Sequence, residues 1–135
     1  MSVEGRVAAV AASIDTALAA RVVTRDFLDL GQASDADLLA GRVTVLAMGE
    51  GEYEEDVAGT DVTGWLSLLV IGQIRVAEDT TPLAVEQAEN ALAEELKAWA
   101  VGTSLAVRLK GFRQSGQLEH PYGWIAMEME VFGDA

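Results

Sequence analysis

The chain has 135 residues, half of them apolar, enough for one domain with a core of its own. It has no cysteine, which excludes disulfides, thiolate metal sites and cysteine nucleophiles. Nine basic against 22 acidic residues give a net charge of −13, which argues against a binder of DNA or of anionic membranes, because neutralising phosphates needs clustered Lys and Arg.

Val3, Val7, Val10, Ile14 and Leu18 recur at steps of three and four on an alanine background, which predicts a helix over 3–20. Glu4 and Asp15 interrupt this segment and no basic stretch precedes it, so it reads as a helix rather than a signal peptide. Residues 21–30 read as extended. Ser34 as an N-cap and Gly41 as a stop predict a short helical turn between them. Residues 42–48 and 65–76 read as strands with apolar side chains on both faces, as a central or covered strand has. In the second, Leu66, Leu68, Val70 and Gly72 oppose Trp65, Leu69, Ile71 and Ile74, with Gly72 a candidate bulge. No stretch is long and apolar enough to predict a membrane span.

Thr81-Pro82 opens a second helix, Thr81 as cap and Pro82 at the first position, and Gly102 closes it. Val85, Ala88, Leu92, Leu96 and Trp99 form its apolar stripe; Glu86, Glu89, Asn90, Glu94 and Lys97 are assigned to water. Residues 105–110 and 125–131 read as a hairpin in which Arg108 and Lys110 lie across from Glu128 and Glu130. The whole predicts one α+β domain over 1–135: a mixed or antiparallel sheet of about four to five strands with two helices on one face.

Two links are longer than the two to five residues a hairpin needs. The first, 50–61, carries Glu50, Glu52, Glu54, Glu55, Asp56 and Asp61; unpaired carboxylates avoid a core, so it is expected to project as an arm. The second, 111–123, carries Phe112, Arg113, His120 and Tyr122, followed by Trp124; aromatics and Arg are the residue types enriched at interface hot spots. Both are expected to be mobile in a free subunit. Glu50, Glu52, Tyr53, Glu54, Trp65, Phe112, Arg113, His120, Tyr122 and Trp124 are therefore the candidate interface.

Candidate chemistry is sparse. His120 is the only histidine, and beside Glu119 it could act as a general base, but a solvent-facing loop histidine before a proline is the simpler reading. GEGEY lacks dinucleotide-fingerprint spacing, and its acids would repel a pyrophosphate. The acidic arm lacks the glycine and distal glutamate of a calcium-binding loop. No catalytic, cofactor or metal residue is assigned, with at most a weak screening effect of Mg²⁺ on assembly.

Taken in order, the chain resembles the tail terminator proteins of long-tailed bacteriophages, the lambda-like minor tail protein U type. The resemblance runs through VAAVAASIDTAL, VVTRDFLDL, the strand–acidic arm–strand RVTVLAMGEGEYEEDVAGTDVTGWLSLLVIGQIRV with Tyr53 and Trp65, the helix EQAENALAEELKAWA and the closing GWIAMEMEVF. It covers nearly the whole chain as a layout of elements rather than as catalytic motifs. It implies a non-enzymatic subunit of a homohexameric ring in the virion tail, assembled in the host cytoplasm. Such a ring caps the tail tube, stops its polymerisation and offers its other face to the head-completion protein; DNA passes the lumen without specific binding. Arm length and the 111–123 link depart from the family pattern, so single contacts are not carried over. A second class stays open: a small-ligand or regulatory α+β binding module with a pocket between helix and sheet. Concentration-dependent rings would favour the first, and a monomer stabilised by a metabolite the second.

Overall fold

The computed structural model describes residues 2–55 and 62–133. Its elements are α1 (Val3–Ala17), β1 (Val22–Thr24), α2 (Asp35–Ala40), β2 (Arg42–Glu55), β3 (Val62–Arg75), α3 (Pro82–Gly102), β4 (Ala106–Gln114) and β5 (Tyr122–Phe132). One mixed sheet runs in the order β1-β2-β3-β5-β4. β1 is parallel to β2 and the other neighbours are antiparallel. The chain is thus a single-domain α+β protein, with five strands and three helices among the described residues.

The period-2 pattern of the strands and the stripes of α1 and α3 meet in one core. Val43, Val45, Leu66, Leu68, Val70, Ile74, Ile125, Met127, Met129 and Val131 on the sheet pack with Val7, Val10 and Ile14 of α1 and Val85, Leu92, Leu96 and Trp99 of α3. Trp99 also donates its indole N–H to Ser13 Oγ at 3.0 Å, joining the two helices. Ile74 belongs to this core face, with Leu66 and not with Trp65: strict alternation holds to the end of β3, and Gly72 is paired regularly with Val43 and Ile125. Gly72 serves packing instead of a bulge. A Cβ there would stand 2.3 Å from Leu92 Cδ2, so glycine lets α3 lie close to the sheet.

Local caps match their residues. Ser2 Oγ accepts from Gly5 N at the start of α1, and Ser34 Oγ from Asp37 N at the start of α2. Gly41 ends α2 at φ +91°, where a side chain would be strained. Thr81 is the N-cap of α3 but its hydroxyl makes no capping bond, so Pro82 carries that start.

The expected arms are largely strand. β2 runs on to Glu55 and β3 begins at Val62, so the hairpin is long and pairing continues through Glu50–Leu66 and Gly51–Trp65 to Glu55–Val62. Two irregularities, at 47–49 and 51–54, absorb the glycines. Glu50 does not project: its carboxylate is 2.5 Å from Arg6 Nη1 and its side chain is 14% exposed. Residues 56–61, with Asp56 and Asp61, lie outside the described residues. The second link is shorter than expected too, since β4 extends to Gln114 and β5 starts at Tyr122.

Candidate assembly surface

α1 and α3 cover one face of the sheet; α2, tied through Asp37 to Arg42 and through Asp35 to Arg75, lies against one end of the other, and much of that face stays open. Alternation sends Trp65, Ser67, Leu69, Ile71 and Gln73 of β3 to that second face, beside Phe132, Glu130, Glu128, Ala126 and Trp124 of β5. At the β1 side the segment after β1 folds over it: Arg42 donates to Asp26 O at 2.8 Å and Gln73 Nε2 to Leu28 O at 2.8 Å. What remains is an apolar band, with Leu69, Ile71, Ala126 and Trp124 half-buried and Met48 and Phe27 exposed. Two shallow cavities mark it. One, of about 350 Å³, lies among Phe27, Leu30, Ile71, Trp124 and Ala126. The other, of about 300 Å³, lies among Met48, Leu69, Lys110 and Glu128.

One end of the band is built around Trp65. Phe132 packs on it at 5.4 Å between ring centroids, and the Arg108 guanidinium lies over its ring at 3.6 Å. Arg108 then pairs with Glu52 of β2 and, at 3.3 Å, with Glu130; Lys110 reaches the same Glu130 at 3.2 Å. The expected ladder of two cations against two glutamates is thus condensed on Glu130. The reason is the irregularity at 109–111, which places Gly111 rather than Lys110 opposite Glu128.

The candidate residues fall into separate groups. Glu52 and Trp65 meet through Arg108. Tyr53 is exposed, and Glu54 pairs through its backbone with Thr63. Phe112 and Arg113 stand on β4 and not in a loop; both are exposed, and among the described residues Arg113 has no ion-pair partner. Trp124 lies at the far end of the band, roughly 27 Å from Trp65 along eight residues of strand. Tyr122, under the Arg75 guanidinium at 5.6 Å, and His120, whose Nε2 is 3.2 Å from Thr80 Oγ1, sit beyond it at that end. Among the described residues no cluster of His, Asp and Glu could hold a metal ion, and no helix is long and apolar enough to cross a membrane.

Two buried charged residues position these groups, and the helix stripes had not flagged either. Arg6 is 2% exposed. Besides Glu50, it donates to Gly64 O at 2.9 Å and Val131 O at 3.3 Å, so it ties α1 to the base of the hairpin and the end of β5. Glu89, assigned to the wet face, is 1% exposed. It accepts from Ser115 Oγ, from Trp124 N at 3.0 Å and from Gln114 Nε2 at 3.3 Å. That anchors both ends of the 115–121 link on α3. A Cβ on Gly123 would come 2.5 Å from Glu89 Oε2, so only glycine admits the carboxylate. Spacing held the signal in each case: Arg6 is four residues before Val10, and Glu89 lies between Val85 and Leu92 at steps of four and three.

No protein-family model matches the chain, and no curated protein matches it significantly.

Proposed function

We propose that this chain is a structural subunit of the phage tail-terminator type, which closes into a homohexameric ring on the end of the tail tube and presents a docking surface to the head-completion protein. The observation that carries this reading is the uncovered sheet face with its band of Met48, Leu69, Ile71, Trp124 and Phe27, flanked by a free edge strand. An apolar band of this kind on a small acidic domain is what a protein–protein contact requires. The resemblance of the element layout supplies the kind of assembly. A net charge of −13 per subunit also suits a channel through which DNA slides without being held.

The test is complementation. Particles lacking their terminator are supplied with this protein and counted for infectivity and tail length. Tails of uniform length joined to heads are expected; unregulated tails in the presence of folded protein would refute the assignment. One observation favours the second class, a small-ligand module: the cavity walled by Phe27, Leu30 and Trp124. A metabolite that raised the melting temperature of a persistently monomeric protein would select it.

A further inference from the structure

The two edges of the sheet are opposite in charge. β4 is the terminal strand, so among the described residues one side of its backbone has no strand partner. It carries Arg108, Lys110 and Arg113, and residues 96–118 contain no acid at all. At the other side, β1 pairs only with Arg42–Thr44, so from Leu46 to Glu55 the outer side of β2 has no strand neighbour among the described residues. That stretch carries Glu50, Glu52, Glu54 and Glu55, and residues 43–74 contain no Lys or Arg. Each edge also shows two exposed large hydrophobics, Leu109 and Phe112 on β4 and Met48 and Tyr53 on β2. Their lengths match: nine residues of β4 face ten over 46–55.

We propose that the β4 edge of one copy docks on the 46–55 edge of β2 in the next copy, so that the charge pattern itself dictates head-to-tail assembly. Charged side chains on an edge strand normally prevent pairing. Here they forbid only like with like. β4 against β4 brings cations together, and β2 against β2 brings carboxylates together, so two-fold dimers are disfavoured. β4 against β2 is attractive, and a heterologous contact of this kind propagates around a ring when its rotation closes. Within a single chain much of the charge is already matched, Glu50 by Arg6, Glu52 by Arg108 and Lys110 by Glu130, whereas among the described residues Arg113 has no ion-pair partner. Arg113 with Phe112 is thus the contact pair on the β4 side. This inference rests on the ring reading and names its interface.

The experiment is a charge swap. One variant carries Lys110→Glu and Arg113→Glu, making both edges acidic; another carries Glu54→Lys and Glu55→Lys, so that, with Glu50 and Glu52 matched within the chain, the remaining charge of the β2 edge is basic. Each alone, folded by circular dichroism, should need at least about tenfold more protein to assemble than the unmodified chain. Mixed in equal amounts, the two should assemble again, because acidic and basic edges then alternate. Arg113→Glu by itself serves as the milder variant should the double change disturb folding. Assembly of either swapped protein at unmodified concentrations, or a mixture that stays dissociated, overturns the edge assignment while leaving the ring reading standing. An unmodified chain that stays monomeric, or stops at a two-fold dimer, overturns both.

Discussion

Glu89 is a charged side chain held inside the fold, 1% exposed. Its carboxylate is enclosed and answers the Ser115 hydroxyl, the Trp124 N–H and the Gln114 amide. Removing it strands buried donors, and each hydrogen bond to a charged group is worth about 1.5–3 kcal/mol. Glu89→Ala is expected to lower stability by roughly 3 kcal/mol in urea unfolding, with Glu89→Gln in between, since it keeps the shape and part of the acceptor capacity. A Glu89→Ala change under about 0.5 kcal/mol, the level of an ordinary surface substitution, would show that these bonds do not hold the link. Arg6 is the parallel case in α1. Breaking a buried pair from one side leaves the other charge unmatched and costs about 3–5 kcal/mol. Arg6→Met should therefore destabilise strongly, and adding Glu50→Met should recover part of the loss. Additive losses in the double variant would mean that the pair is not coupled.

Among the elements, those legible from sequence were the ones whose period and punctuation agree. α1 and α3 follow apolar stripes, Ser34 opens and Gly41 closes α2, Pro82 opens α3, and β5 alternates cleanly from Ile125 to Val131. The hairpin was less legible because charge and pairing pull in opposite directions. Glu50 looked like an arm residue, yet Arg6, 44 positions away, makes its burial affordable. Nothing local to Glu50 reveals that partner. Glu89 is hidden for the same reason: its donors come from β4, β5 and the link between them, although its stripe position is visible. Of the candidate surface, the setting of the residues differs from the expectation. Phe112, Arg113 and Trp124 lie on regular strands, so the proposed contact surface is a sheet edge and face rather than two loops. Trp65 and Trp124 stand at opposite ends of one face, a separation that residue type alone does not disclose.

The whole molecule combines an apolar band, edges of opposite charge and a net excess of negative charge. In the proposed ring the first two would draw copies together and the third would keep them apart. Each subunit brings −13, and at physiological salt that repulsion is screened beyond about 8 Å. Added salt should therefore promote assembly, within the limit that edge attraction is screened as well; since net repulsion acts over the whole surface, it should weaken more. The decisive measurement is sedimentation velocity of the purified chain across protein concentration at low and high ionic strength. The expected result is conversion of a 14.3 kDa monomer into a species of six times that mass, at lower protein concentration in high salt. A chain that remains monomeric at every concentration and salt level, or whose oligomers dissolve as salt is added, would contradict assembly by a charge-opposed ring.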